Sequence, residues 1–195
     1  MASTFAPTLL VGHAVRLVPL SVDHLDALWE AGSDENLWTW HPSPVRSREG
    51  MQGYVETALR MQAEGTALPF TTMLPAGQVI GSTRFFEYEP AHRHLEIGST
   101  WITRPWQRTA VNTEAKYLML RHAFEELACL RVQLRTDVLN QRSRNAILRL
   151  GAKEEGVFRK HWVTTSGRIR DSIFFSIVDG EWPEVKARLE AKLGR

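Results

Sequence analysis

The run "HAVRLVPLSVDHLDALWEAG" (13–32) opens with apolar residues at alternate positions, Val15 and Leu17, and then changes period. Alternation marks a half-buried strand. Leu25, Leu28 and Trp29 recur at helical spacing behind Ser21, whose hydroxyl suits an N-cap, so a strand leads into a helix. "SDENLWTWHPSPVRS" (33–47) is dense in turn formers yet carries Trp38, Trp40 and His41, and reads as a loop with large side chains. A second helix is predicted over about 48–64. "ALPFTTML" and "AGQVIGSTRFFEYE" read as two strands joined by a Pro/Gly-containing turn and predict a hairpin. In the next strand, "HRHLEIGSTWITRPW", alternation puts Leu95, Ile97, Ser99 and Trp101 on one face and Glu96, Gly98, Thr100 and Ile102 on the other. Residues 112–127 return to helical spacing, with Tyr117, Leu120, Phe124 and Leu127 on one stripe. "RVQLRTDV" is a half-buried strand. "QRSRNAILRLGA" is a short helix that buries Ala146, Ile147 and Leu150 and ends on Gly151 as its C-cap. A hairpin from "EEGVFRKHWVTT" and "GRIRDSIFFSIV" and a closing helix from about Glu181 complete the chain. The order β-α-α-β-β-β-α-β-α-β-β-α places an antiparallel run before strands that alternate with helices, which predicts a mixed sheet in one α+β domain over 1–195.

Composition narrows the function classes. The 195 residues carry a net charge of +2 and a single cysteine, Cys129. A balance that close disfavours nucleic acid as a partner, although the arginines of "RVQLRT" and "RSRNAILR" form a basic face that such a reading would use. A polyphosphate ligand is sufficient to account for them. One cysteine excludes an internal disulfide and fits a reducing cytosol, and no His/Cys cluster has zinc-ligand spacing, so no metal is expected. The start, "MASTFAPTLLVGHAV", has neither a basic leader region nor a long apolar run, and a cytoplasmic protein without a membrane segment is expected.

The chemistry gathers around "RPWQRTAVNTEA" (104–115), a turn between a strand and a helix. Such a turn aims free backbone N–H groups at one point, and the helix dipole adds about half a positive charge there. Ala110 permits close approach and Arg108 adds a cation, while an ordinary connection is the alternative reading. The stretch from Leu95 to Gly151 resembles the acyl-CoA core of the GNAT N-acetyltransferase superfamily, and within it the ribosomal-protein-alanine acetyltransferases of RimJ/RimL type. "LEIGSTWI" is similar to that branch's fourth strand, "PWQRTAVNTEA" to its pyrophosphate loop and helix start, and "RVQLRTDVLNQRSRNAILRLGA" to its fifth strand and following helix. "EEGVFRKHW", "RDSIFFSI" and the opening "VRLVPLSVDHLDAL" extend the likeness over nearly the whole chain, and Asn140-x-x-Ser143 is its most specific element. The loop departs from the pattern Gln/Arg-x-x-Gly-x-Gly/Ala, with Pro105 at the first place, Arg108 at the first glycine and Ala110 at the last small position.

The resemblance implies a mixed, mostly antiparallel sheet of about six to seven strands flanked by helices, with a CoA-binding core at about 95–151. It implies acetyl-CoA as donor. Amides of Gln107, Arg108, Thr109, Ala110, Val111 and Asn112 would face the pyrophosphate, the backbone of Trp101, Ile102 and Thr103 would pair with pantetheine, and Asn140 would bind the pantetheine arm. An acceptor amine must be neutral to attack a thioester, so a base is useful; free α-amines have a pKa near 8 and lysines about 10.4. Glu96 is the candidate base, acting through water, with a structural ion pair as its alternative. His161 and Asp171 are weaker candidates, and His92 and His94 read as surface residues. Where superfamily members place a tyrosine near the sulfur this chain has Ile147, leaving Ser143 to stabilise the leaving thiolate or simply to contact backbone. Cys129 reads as a small hydrophobe. Trp38, Trp40 and His41 border the acceptor in the resembled family, and read as core anchors or a homodimer contact before an acceptor pocket. The expected activity is transfer of acetyl to a primary amine, on a protein N-terminus or a small molecule. The competing class is a CoA-binding sensor with little turnover, which the replaced glycine and missing tyrosine would suit.

Overall fold

In the computed structural model, which describes residues 5–195, the predicted strands join in one eight-stranded sheet. Residues 1–4, the beginning of the stretch read for a leader, lie outside the described residues. The strands are β1 (Leu10–Val11), β2 (Arg16–Pro19), β3 (Ala67–Met73), β4 (Val79–Glu89), β5 (His94–Ile102), β6 (Arg131–Asp137), β7 (Lys153–Val163) and β8 (Ile169–Val178). The helices are α1 (Leu25–Gly32), α2 (Arg48–Ala63), α3 (Ala110–Arg121), α4 (Gln141–Leu150) and α5 (Trp182–Leu193). β1, two residues long and antiparallel to β2, is the strand beyond the expected six to seven. It is too short for alternation to reveal. The sheet order is β1-β2-β3-β4-β5-β6-β8-β7, and β5–β6 is its single parallel pairing.

That parallel contact runs only from His94↔Arg131 to Glu96↔Gln133. Past it, β5 continues along β4 to Ile102 while β6 stays with β8, so the sheet opens into a cleft whose apex is Glu96.

One face of the sheet carries the main core of Leu17, Phe70, Phe85, Leu95, Ile97, Val132, Leu134 and Phe175 against α3 and α5. The other carries a smaller core of Leu28, Trp38, Met51, Val55 and Trp101 under α1 and α2. Trp101 thus lies on the opposite face from Leu95 and Ile97, contrary to strict alternation. The cause is a β-bulge: pairing with β4 shifts between Ser82↔Trp101 and Arg84↔Gly98, and Ser99 takes φ +47°. Ile102 consequently rejoins the face of Leu95 and Ile97. Gly81 accommodates the crossing strand there, since a Cβ would lie 2.1 Å from the Trp101 carbonyl oxygen.

Helix α3 begins at Ala110, two residues before the predicted start, and gives way to a π turn over His122–Glu126. It is buried almost all round, including Glu114 and Lys116, rather than on one stripe. Glu114 ties the N-terminal segment to it by accepting from the amides of His13 (2.9 Å), Ala14 (2.6 Å) and Val15 (3.0 Å). Among the described residues no helix is long and apolar enough to cross a membrane.

Candidate active site

The turn after β5 is a 3-10 segment, Arg104–Trp106, followed by Gln107 in extended conformation and Arg108 at φ +62°. The left-handed backbone that glycine normally supplies is therefore adopted by an arginine. Thr109 caps α3, accepting from Val111 N (3.3 Å) and donating to the Trp106 carbonyl (2.8 Å). Two of the amides expected to face a pyrophosphate already have partners: Gln107 N donates to Arg104 O (3.1 Å) and Val111 N to Thr109 Oγ1. Those of Arg108, Thr109, Ala110 and Asn112 belong to the turn and the first helical turn, whose N–H groups lack intrahelical acceptors.

The Gln107 side chain bolts this turn across the cleft. Its Nε2 donates to Ile102 O (2.7 Å) and its Oε1 accepts from Arg142 of α4 (2.8 Å). Thr103 N donates to Ile80 O of the neighbouring strand (2.8 Å). Hence, of the Trp101–Thr103 backbone expected to pair with pantetheine, the Ile102 carbonyl and the Thr103 amide are engaged within the protein. Gln107, Arg104, Arg108 and Arg142, with Asn36 and Leu37, line a cavity of about 340 Å³. Asp34 neutralises Arg104 (2.8 Å), leaving the guanidinium groups of Arg108 and Arg142 beside a helix N-terminus. Guanidinium forks and free amides together fit the phosphates of a CoA ester.

On the far wall, Asn140 is the N-cap of α4, its Oδ1 accepting from Ser143 N (3.1 Å). The oxygen of Asn140 is therefore committed to its own helix, leaving the side-chain amide N–H for a ligand. Ser143 sits half-buried in the first turn and Ile147 is buried one turn on.

Glu96 is 1% exposed at the apex of the cleft. Its Oε2 accepts from Gln133 Nε2 (2.9 Å) and its Oε1 pairs with Arg135 Nε (3.0 Å), which also reaches Glu87 (2.8 Å). Burial pushes the carboxyl up to about 7 against the opposing pull of Arg135 and Gln133. A carboxyl poised there exchanges protons near neutrality, as a general base must. Gly98 leaves room beside it, since a Cβ would lie 2.7 Å from the Phe86 ring and 3.4 Å from Glu96 Oε1.

The other candidates separate. His161 stands half-buried on the edge hairpin with Nδ1 3.0 Å from Ser172 Oγ, its pKa lowered by burial and by the charges of Arg135 and Arg170. Asp171 turns to the backbone instead, accepting from Lys160 N (2.6 Å), where Lys160 holds φ +50°. His92 and His94 stack on each other near the surface, ring centres 6.1 Å apart. Cys129 is buried, and burial lifts its thiol to about 11, as for a small hydrophobe. Trp38 is a core anchor, 2% exposed, while Trp40 is half-buried under the Arg168 guanidinium. His41 joins Trp38 in lining a cavity of about 350 Å³ with Thr164, Ser166 and Arg168 of the β7–β8 turn. Its imidazole is held down near 4, chiefly by burial and further by the charges of Arg84 and Arg170.

Sequence reasoning passed over three buried charges. Lys116 donates to Thr100 Oγ1 (2.6 Å) and Thr83 Oγ1 (2.9 Å), and burial lowers its amine to about 7. Arg84 of β4 and Arg170 of β8 are both buried on the Glu96 side of the sheet. Arg84 was visible only as an alternating strand position and Lys116 only as a charge among apolar helix residues; neither pattern reveals what lies opposite. Among the described residues no group of His, Cys, Asp and Glu could hold a metal ion.

A family model described as "Acetyltransferase (GNAT) domain" matches residues 14–153. The chain is 30% identical over 110 residues to "Putative ribosomal N-acetyltransferase YdaF" of Bacillus subtilis (strain 168); the alignment covers 56% of this chain and 59% of that relative, so less than two thirds of its length is spanned. The fold superposes on the crystal structure of a GCN5-related N-acetyltransferase from Brucella melitensis with a TM-score of 0.89 and 31% identity, over 97% of this chain and 87% of that one. It also superposes on Mycobacterium smegmatis RimJ, solved with CoA-disulfide, at a TM-score of 0.80 and 22% identity, over 96% of this chain and 93% of that one, a likeness of fold.

Proposed function

Because the chain belongs to the GNAT acetyltransferase family, on its RimJ/RimL-like branch, we propose that it moves the acetyl group of acetyl-CoA to a primary amine by direct attack in a ternary complex. The observation that carries this reading is Glu96, a buried carboxyl at the apex of a cleft whose opposite end presents arginines and a helix N-terminus to phosphates.

In this reading the CoA phosphates bind between the Arg108 turn and Arg142, and the pantetheine arm runs between the diverging strands past Asn140. The thioester then lies toward the apex. Glu96, ionised, takes a proton from the acceptor ammonium, directly or through water; the neutral amine attacks the thioester carbonyl, and the C–S bond breaks as the amide forms. The sulfur leaves as a thiolate, to which the Ser143 hydroxyl donates a hydrogen bond; the second proton, shed by the nitrogen as the amide forms, passes through solvent to the thiolate to give the CoA thiol, and the first leaves Glu96 to solvent. Arg135 and Gln133 hold Glu96 in place, and Arg135 keeps enough of it ionised at neutral pH despite burial.

The test is the acid side of the rate profile. With a peptide α-amine and acetyl-CoA, wild-type thiol release rises with pH through about 7 as Glu96 ionises. Glu96→Gln keeps size and most hydrogen bonding but lowers the rate about 10²–10⁴-fold at neutral pH, with partial recovery toward the amine's own pKa. A pH-independent loss would make Glu96 a structural residue, and unchanged rates would remove it from the chemistry.

A further inference from the structure

Arg84 is 6% exposed, yet among the described residues it forms no ion pair. Its guanidinium lies 4.9 Å from the centre of the Tyr54 ring, its Nη1 meets only Met61 Sδ at 3.7 Å, and its Nε has no partner. A buried cation without an anion is costly, and an apolar side chain of similar length would fill the same space at less expense. Arg170 is similar. Its nearest carboxylate is Asp137, 3.9 Å away, but that carboxylate is already held by Arg168 at 2.5 Å and accepts from Leu139 N at 3.0 Å; the Arg170 Nε is unpartnered.

Arg84 on β4 and Arg170 on β8 lie on either side of the β5–β6 cleft, on the face of the sheet that carries Glu96; Arg84 lies over the Tyr54 ring, whose centre is 6.3 Å from that of His41, and the charges of both arginines help hold the His41 imidazole down. His41 also lines the 350 Å³ cavity between the loop and the β7–β8 turn, which supplies an approach from solvent. The charges that act on the candidate base are those of Arg135 and Arg170 against Glu87, and Arg84 adds an unpaired cation on the same face of the sheet. That unpaired cation favours an anionic group over a bare ammonium or a polyamine.

We propose, resting on the amine-transfer reading above, that the acceptor carries a carboxylate close to the primary amine, and that Arg84 and Arg170 receive this carboxylate while the amine faces Glu96. The planar forks of arginine match a carboxylate in a way a lysine cannot. The same positive field favours the neutral form of the amine once it is bound, which is the form that attacks. Two sources present this chemistry: a free amino acid, and a peptide or protein N-terminus with an acidic residue in its first positions.

The experiment measures kcat/KM for thiol release from acetyl-CoA with matched acceptors: Ala-Glu-Ala-amide, Ala-Gln-Ala-amide, Ala-Lys-Ala-amide, alanine, alaninamide and spermidine. The acidic peptide is expected to exceed its glutamine counterpart by at least about 10-fold, the effect of one charged hydrogen-bonded contact. Alanine exceeding alaninamide in the same way identifies a free amino acid as the source. Arg84→Met and Arg170→Met bring the acid-to-amide ratio toward one while acetyl-CoA still raises the melting temperature, and Arg84→Lys retains part of the ratio. Equal rates for the acidic and amide acceptors, or a preference for the lysine peptide or spermidine, overturn the proposal and leave the transfer reading standing. If no acceptor releases thiol, binding of the acetylated acidic and amide peptides to the CoA-saturated protein decides: selective binding of the acidic one retains the anion site and removes the transfer reading, and equal or absent binding overturns both.

Discussion

Arg108 holds φ +62°, a backbone conformation that costs an L residue about 1–2 kcal/mol and that glycine enters freely. The proposed phosphate turn therefore adopts this shape at an energetic expense, and the offset available on binding an anion is the Arg108 charge beside Arg142 and the start of α3. Arg108→Gly is accordingly expected to stabilise the unliganded protein by about 0.5–1 kcal/mol, part of the relieved strain being returned to the freer unfolded chain. It is also expected to weaken acetyl-CoA binding at low salt, with the deficit shrinking toward 1 M salt, where the screening length falls to about 3 Å. Melts and binding titrations at two ionic strengths check both parts. At this scale the glycine substitution could be read from residue order alone, but its conformational outcome could not. Glu96 was likewise identifiable as a mid-strand carboxylate. Its neighbours Arg135 and Gln133 come from a strand more than thirty residues away, and the proton affinity they help to set exists only once the two strands pair.

Periodicity, with turn signals between segments, located every strand longer than two residues and every α-helix, because most elements bury one face against one of the two cores. It failed where an element changes phase. The bulge at Ser99 returns Trp101 to the α1–α2 side, and no residue type in "GST" forces it: Gly81 on the adjacent strand makes the room. Helix α3 failed the stripe test for a related reason, being enclosed by the sheet on one side and α5 on another, so that even Lys116 is inside. Lys116 bridges α3 to β4 and β5 through Thr83 and Thr100, with no counterion among the described residues. Its amine is near 7, below the usual lysine value, so burial of the charged form costs stability in full below about pH 7, and that cost disappears as pH rises toward 10.5. Lys116→Met should therefore be most favourable to stability at acidic pH and lose that advantage by up to about 1.4 kcal/mol per pH unit between 7 and 10.5. Denaturant midpoints measured at pH 6, 8 and 9.5 test the slope; a pH-independent difference would mean that Lys116 keeps the same proton affinity folded and unfolded, so that its charge is not penalised by burial.

The sheet as a whole is nearly two sheets, β1 to β5 and β6 to β8, joined at three paired positions and by the helices across them. A ligand lying in the cleft contacts both halves and binds only where they are assembled, so it stabilises the folded molecule as a unit. Acetyl-CoA at about 100 times its dissociation constant should raise unfolding stability by about 2.7 kcal/mol in a single cooperative transition. Replacing Ala110 with glutamate, which puts bulk and negative charge at the phosphate turn, should abolish this rise without lowering the unliganded melt by more than a few degrees; calorimetry reads both. By itself the sequence determined the α+β class, the succession of elements and the likeness to acetyltransferases, and it located the chain segments that carry the proposed phosphate turn and the candidate base, since each depends on local spacing or on a short motif. Only the tertiary structure decided which face Trp101 occupies, that an arginine replaces glycine without loss of the turn, and that Arg84, Arg170 and His41 share the side of the sheet on which Glu96 lies. Those facts depend on the register of strands distant in sequence and on how far burial shifts a charge, and neither is written in any one segment of the chain.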